Sequence, residues 1–258
     1  MIRPKKHLGQ HFLHDKRISE KIASLAIDPP NGFVFEVGPG TGALTECLLA
    51  RGLSVVAIEK DNEAFAYLIQ HFGENSNLRL ISGDILSFDF QTHTDSIWLG
   101  NLPYNISGPF FFHLAAAYES IQQGVFMIQQ EVAQRLISPP GNKNYGILSV
   151  LLGYGFVVSL EFRVGAGAFY PPPKVTSAVV TLTQRSHRHP TIKSWTNFCF
   201  LVKQAFGQRR KMLRNTLSFM ESYLPEDLKQ RRAEELSIAE FVNLANTYTE
   251  LIRSTSAD

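Results

Sequence analysis

Two cysteines, Cys47 and Cys199, are all that the 258 residues contain. That excludes a disulfide framework and a CxxC metal site, and it fits a reducing compartment such as the cytoplasm. Long apolar runs are also missing. The longest, Ile147 to Val158, is interrupted by Ser149, Gly153, Tyr154 and Gly155, and it falls short of the ~20 residues of a membrane helix. The opening MIRPKKHLGQHF has the charge of a signal peptide without its apolar stretch, so export is not indicated. No repeat or low-complexity tract is visible. With 44% hydrophobic residues, 13 Pro and 18 Gly, the chain is neither disordered nor collagen-like. It suits one large α/β domain with a small appendage, because single cores tend to split beyond roughly 250 residues.

The net charge of +2 conceals strong segregation. Residues 1–21 hold six Lys and Arg against Asp15 and Glu20, and residues 184–214 hold eight with no carboxylate. The rest of the chain carries 11 basic and 21 acidic residues, so two basic blocks flank an acidic body. Clustered Lys and Arg are the electrostatic footprint of a polyanion binder, although solvated surface helices can carry such runs as well.

Short apolar runs at 33–38, 54–59, 78–84, 96–102 and 124–129 alternate with helical patterns, which predicts a parallel sheet with helices on both faces. Helices are expected over Thr41–Ala50, and from an Asp61 cap to Phe72. Residues 156–164 and 177–184 alternate polar and apolar across a Pro-rich loop, as an antiparallel addition to the sheet would. Beyond Thr191 only helical patterns occur, over Trp195–Phe206, Lys211–Met220 and Ile238–Ile252. The expected division is a domain over 1–185 and a helical domain over 186–258.

The first strand runs through Glu36-Val37-Gly38-Pro39-Gly40-Thr41-Gly42-Ala43 into a helix. Glycines suit a turn of positive φ that a cofactor approaches closely, and Gly38, Gly40 and Ala43 satisfy the pattern GxGxxG/A. Glu59, at the end of the second strand, could accept from both hydroxyls of a ribose. An adenosine-bearing cofactor follows, with a nicotinamide dinucleotide and S-adenosylmethionine both compatible. Asp84, after the third strand, could accept from an adenine amine or cap a turn.

Asn101-Leu102-Pro103-Tyr104 stands at the carboxyl end of the fourth strand, where open α/β sheets place their ligands. An adenine N6 is a poor nucleophile because its lone pair is delocalised into the ring. Acceptors on both of its N–H bonds, the Asn101 amide oxygen and the Leu102 carbonyl, would favour a tetrahedral nitrogen aimed at an electrophilic methyl. Pro103 stiffens the turn, and Tyr104 offers a ring for a flipped base. Phe169, opening Phe169-Tyr170-Pro171-Pro172-Pro173-Lys174-Val175, is expected to close on the other face of the base. Tyr170 suits core packing at least as well, and Lys174 suits a phosphate.

Five segments in order, KKHLGQHFL (5–13), EVGPGTG (36–42), NLPY (101–104), FYPPPKV (169–175) and FGQRRKMLRNTL (206–217), resemble the small-subunit ribosomal RNA adenine dimethyltransferases of the KsgA type. The likeness spans nearly the whole chain. It implies a class I, Rossmann-like methyltransferase sheet, mostly parallel with an antiparallel terminal strand, plus a small all-helical C-terminal domain. It implies S-adenosylmethionine as cofactor and dimethylation of two adjacent adenosines in the 3′-terminal hairpin loop of small-subunit (16S) rRNA, on a 30S precursor. Carried over by motif, the cofactor contacts fall on His11, Leu13, Gly38, Glu59, Asp84 and Asn101, and the catalytic positions on Asn101, Leu102, Tyr104 and Phe169. Lys174, Arg209, Arg210 and Lys211 are the expected RNA contacts. The family usually has Asn at position 11, where this chain has His. His7, His11 and His14 could mimic metal ligands, but no metal is expected. A cytoplasmic monomer without membrane contact completes the expectation. The alternatives are a 23S rRNA adenine methyltransferase of the macrolide-resistance type, a NAD-dependent oxidoreductase, and a non-catalytic assembly or transcription factor.

Overall fold

A computed structural model of the protein describes residues 2–5, 8–186 and 189–255. The chain divides into two compact units, Met1–Ala133 with Phe156–Gln184, and Gln134–Gly155 with Arg185–Asp258.

The first unit is built on a seven-stranded sheet. Its strands are β2 (Phe33–Val37), β3 (Ser54–Glu59), β4 (Leu78–Ser82), β5 (Ser96–Asn101), β6 (Ile121–Gln129), β7 (Phe156–Val164) and β9 (Ser177–Gln184). They lie in the order β4-β3-β2-β5-β6-β9-β7. The β2–β3, β2–β5, β3–β4 and β5–β6 pairs are parallel, whereas β9 runs antiparallel to both β6 and β7. The last strand is thus inserted between the two before it. A two-stranded ladder pairs β1 (Phe12–Leu13) with β8 (Phe169–Tyr170), setting Leu13 opposite Phe169. Burial along each strand explains its sequence: Ser96–Gly100 of β5 is wholly buried, while β7 alternates as an edge strand with one wetted face does.

Helices α1 (Lys16–Ser24), α2 (Ala43–Ala50), α3 (Asn62–Phe72) and α4 (Ser107–Ala116) accompany this sheet. Asp15 caps α1 by accepting from Arg17 N, and Asp61 caps α3 by accepting from Glu63 N. On one side of the sheet lies an aromatic cluster in which Phe35 stacks on Trp98 at 4.2 Å and Phe90, Phe110 and Phe126 meet edge to face.

Helix α5 (Gln130–Ile137) begins in the first unit and ends in the second, which also holds α6 (Ile147–Gly155), α7 (Trp195–Phe206), α8 (Leu213–Thr216), α9 (Glu226–Lys229) and α10 (Ile238–Thr255). Among its described residues there is no strand. The expected single cut at 185 is corrected here, because Gln134–Gly155 belongs with the C-terminal helices. The reason is α6, which buries Ser149 to Gly155 and packs on α7 and α10. A helix apolar all round has no face for water and needs cover on every side. The helix expected over Lys211–Met220 is also shorter. It is α8 followed by a 3₁₀ stretch, Ser218–Tyr223, broken at Met220. Leu213, Leu217 and Met220 are nevertheless all buried, so the spacing marked the inward face correctly although the hydrogen-bonding pattern changes along it.

Candidate active site

At the carboxyl ends of β2 and β5 a pocket is lined by the segment Gly9–Leu13, by Glu36, by the loop from Gly38 to Thr41, and by Asn101, Leu102, Pro103 and Tyr104. The glycine loop is shaped for a close-lying ligand. Gly38 has φ 63°, and a Cβ placed on it would meet nothing within 4 Å, so it would project into open space. Gly40 has φ 59°, and there a Cβ would stand 3.0 Å from the Phe12 ring. One glycine leaves room for a ligand and the other for the N-terminal segment.

Glu59 holds this loop in place. Its Oε2 accepts from Gly40 N at 3.0 Å and its Oε1 from Asp61 N at 2.8 Å. The carboxyl is buried, and desolvation pushes its pKa up against these backbone donors. It does not line the pocket described above, nor does Asp84. Asp84 accepts from Leu86 N at 3.0 Å as the cap of a short 3₁₀ turn, and from Lys60 Nζ at 2.7 Å. Lys60 is the first cause holding the Asp84 carboxyl below its usual range.

Asp61 ties the N-terminal segment to the end of β3. It accepts from Lys5 Nζ and, at 2.9 Å, from Gln10 Nε2, while the Gln10 side-chain oxygen accepts from Lys5 N at 2.8 Å. Burial alone would push the Asp61 carboxyl up, but the hydrogen bonds from Lys5 and Gln10 outweigh it and hold it low. Sequence reasoning missed this clasp, because its members lie some 50 positions apart with only a cap motif to mark one of them.

The Asn101 amide is oriented by a single bond. Its Nδ2 donates to the His11 carbonyl at 3.0 Å. A carbonyl cannot donate, so the amide cannot be flipped, and Oδ1 is the atom left for a ligand. Leu102 N donates to Met127 O at 3.0 Å, anchoring the turn to β6, and the Leu102 side chain is buried. The Tyr104 hydroxyl shares a hydrogen bond of 2.7 Å with Ser177 Oγ. Burial raises the Tyr104 pKa, partly offset by Ser177. The His11 ring stacks on Tyr104 with centroids 5.3 Å apart, and its Nδ1 lies 2.7 Å from the Pro171 carbonyl. That nitrogen is therefore the protonated one in the neutral ring.

The structure brings His11, Leu13, Gly38, Asn101, Leu102 and Tyr104 together. It corrects Phe169. That ring is 3% exposed and belongs to the core cluster with Leu13 and Val179, whereas Tyr170 is 59% exposed. Adjacent side chains of a strand point to opposite faces, and here one face of the ladder meets the core while the other meets solvent, so Phe169 is buried and Tyr170 is not. Lys174 is exposed. In the second unit Arg210 and Lys211 are exposed, but Arg209 is engaged: its Nη2 donates to the Lys143 and Tyr145 carbonyls, both at 2.8 Å, and to Glu234. His7 lies outside the described residues, and among these no group of three His, Cys, Asp or Glu could hold a metal ion. No described helix is long and apolar enough to cross a membrane.

Reasoning from the sequence also passed over Glu36 as a functional group. It is 1% exposed, lines the pocket, and accepts from Thr45 Oγ1 at 2.6 Å. Desolvation pushes its pKa up to about 8. A charged residue inside an otherwise apolar strand, Phe33–Val37, was the signal available.

The chain matches the family described as "Ribosomal RNA adenine dimethylase" over residues 1–252. It is similar to the Ribosomal RNA small subunit methyltransferase A of Porphyromonas gingivalis, with 43% identity over 94% of this chain and 96% of the relative. That of Xanthomonas axonopodis pv. citri is 42% identical over 94% and 95%. Among solved structures, a dimethyladenosine transferase from Plasmodium falciparum superposes with a TM-score of 0.78 at 24% identity, covering 94% of this chain and 98% of that one. The 23S rRNA methyltransferase ErmE gives 0.70 at 21%, covering 92% and 98%. At such identities these two structures speak for the fold alone. The chain belongs to the ribosomal RNA adenine dimethylase family and is a methyltransferase of class I fold, with the mostly parallel sheet and antiparallel strand that its motifs led us to expect.

Proposed function

We propose that the protein uses S-adenosylmethionine to dimethylate the N6 amines of two adjacent adenosines in the 3′-terminal hairpin loop of small-subunit rRNA, acting as a cytoplasmic monomer on a 30S precursor. The observation that carries this reading is the Asn101 amide, held by the His11 carbonyl so that its oxygen remains for a ligand. The donor would supply an electrophilic methyl on a sulfonium. The open space before Gly38 fits a ligand lying against the backbone. His11, Leu13 and Gly38 would hold its amino-acid end, and Glu59 and Asp84 its adenosine. Glu59 can do so while clamping the loop, since a carboxylate has about four acceptor sites and two are used here.

The residues of this chain contribute orientation and exclusion of water. Asn101 Oδ1 and the Leu102 carbonyl accept from the two N6–H bonds, and Tyr104 provides the stacking face. An uncharged amide holds the amine without pairing to the donor's positive charge. After each transfer the donor leaves as a neutral thioether and the surplus N6 proton passes to solvent; the monomethylated amine then keeps one N6–H and is still held, whereas the dimethylated one has none and leaves. Asn101→Ala should lower transfer on the order of 10²-fold or more while leaving donor binding largely intact. Labelled donor, unmethylated 30S particles and digestion to dimethyladenosine measure the first effect, and calorimetry the second. Wild-type turnover in that variant contradicts the assignment, and labelling of 50S in place of 30S particles redirects it to the large subunit.

A further inference from the structure

The methyl-transfer reading uses the ring of Tyr104 and leaves its hydroxyl unexplained. A phenylalanine would offer the same stacking face, and a half-buried phenol gives up water that something must replace. The replacement is Ser177. Its Oγ shares a hydrogen bond of 2.7 Å with the Tyr104 oxygen across 73 positions of sequence, and Ser177 is itself fully buried. It opens β9, the strand inserted between β6 and β7, and is paired on both sides, with Gln129 of β6 and Val164 of β7. The residue before it is fixed too, since the Thr176 carbonyl accepts from Gln130 N at 3.0 Å. Tyr104, by contrast, lies in the turn between β5 and α4. That turn is closed by Ile106 N, which donates to the Pro103 carbonyl at 3.1 Å, and by Ser107 Oγ, which donates to the same oxygen at 3.2 Å. These bonds set the backbone and not the side chain. The ring is held from elsewhere: His11 stacks on one of its faces with the planes 30° apart, and Ser177 takes the hydroxyl at its far end.

We propose that Ser177 is a positioning residue for methyl transfer, fixing through the Tyr104 hydroxyl the place of the ring on which the target adenine stacks. The inference rests on the reading of Tyr104 given above. Because His11 covers one face of the ring, a base has only the opposite face to lie on. Where that face stands decides where N6 stands relative to Asn101 Oδ1 and the Leu102 carbonyl. With its hydroxyl engaged by Ser177, Tyr104 acts on the base through its face alone. Releasing the hydroxyl lets the ring swing about its Cα–Cβ and Cβ–Cγ bonds, and a displacement of about 1 Å at the reacting atoms can cost on the order of 10²-fold in rate. The loss therefore falls on the transfer step. Donor affinity is spared because Ser177 does not line the donor pocket, and phosphate contacts elsewhere carry most of the hold on RNA.

Labelled donor and unmethylated 30S particles, both saturating, give the transfer rate of the full chain, and calorimetry gives donor affinity. Ser177→Ala and Tyr104→Phe each cut the same bond, the second without touching β9. Each is expected to lower kcat about tenfold, with the KM for particles and the Kd for donor within about twofold of the wild type. The double variant is expected to be no slower than either single one, because one bond can be lost only once. Wild-type kcat in Ser177→Ala overturns the proposal, as does a loss confined to the urea midpoint of unfolding. Effects that multiply in the double variant also overturn it, since the hydroxyl and the serine would then have separate tasks. If Ser177→Ala does not fold, Tyr104→Phe carries the test: a tenfold loss of kcat with unchanged donor affinity supports the proposal, and wild-type kcat overturns it. A wild-type chain that makes no dimethyladenosine overturns the reading on which the proposal rests.

Discussion

The buried carboxyl of Glu36 makes the stability of the fold depend on pH. That carboxyl has a pKa of about 8 in the fold and an ordinary value near 4.5 in the unfolded chain. Between these values the native state binds a proton that the unfolded state lacks, so stability falls as pH rises through that window. The penalty is absent below the lower value and complete above the upper one. Glu36→Gln, neutral throughout, should match the wild type in urea unfolding at pH 5 and exceed it by a few kcal/mol at pH 8. Equal stability at both pH values would place the carboxyl in contact with water. Arg209 invites a second test at this scale. Because it is tied to Lys143, Tyr145 and Glu234, Arg209→Ala should cost about 1–2 kcal/mol of stability and change the salt dependence of RNA binding little. Arg210→Ala with Lys211→Ala should do the reverse, reducing the slope of log affinity against log salt by about two. If both substitutions changed the slope alike, Arg209 would have to leave its clasp on binding RNA.

Among the elements, the N-terminal segment is the one that local propensity cannot hold. It has two strand residues and a single short ladder to β8, far less than an isolated pair needs to persist in water. Side chains do the rest: Lys5 and Gln10 on Asp61, the His11 carbonyl on Asn101, and the His11 ring on Tyr104. Asp61 also caps α3. Asp61→Ala should therefore lower stability by about 1–3 kcal/mol and speed amide exchange at residues 8–13 more than elsewhere in the unit. Uniform acceleration would mean that the cap alone had been lost. The same ladder decides the fate of two neighbouring aromatics. Pairing Leu13 with Phe169 buries the phenylalanine and leaves Tyr170 outside, an assignment that composition cannot make because both rings are large and apolar and the loop has no periodicity.

At the scale of the whole molecule, charge is partitioned between the two units. Residues 134–155 and 185–258 carry 14 Lys and Arg against 8 Asp and Glu, leaving the sheet unit with 11 against 15. The basic helical unit fits a polyanionic partner, and the acidic unit fits a site whose ligand carries positive charge. Much of this was legible in the chain itself. The parallel strands, the glycine turn, the Asp61 cap and the placement of Asn101 after a strand all follow from interactions between residues close in sequence, and the charge blocks are a matter of counting. Where β9 enters the sheet, why α6 joins the C-terminal helices, which of Phe169 and Tyr170 is buried, and that Glu36 is buried against Thr45 depend on residues brought together across the chain. Local patterns record which face of a segment avoids water; only the folded contacts decide what each face meets, and it is those contacts that set the orientation of an amide and the proton on an acid.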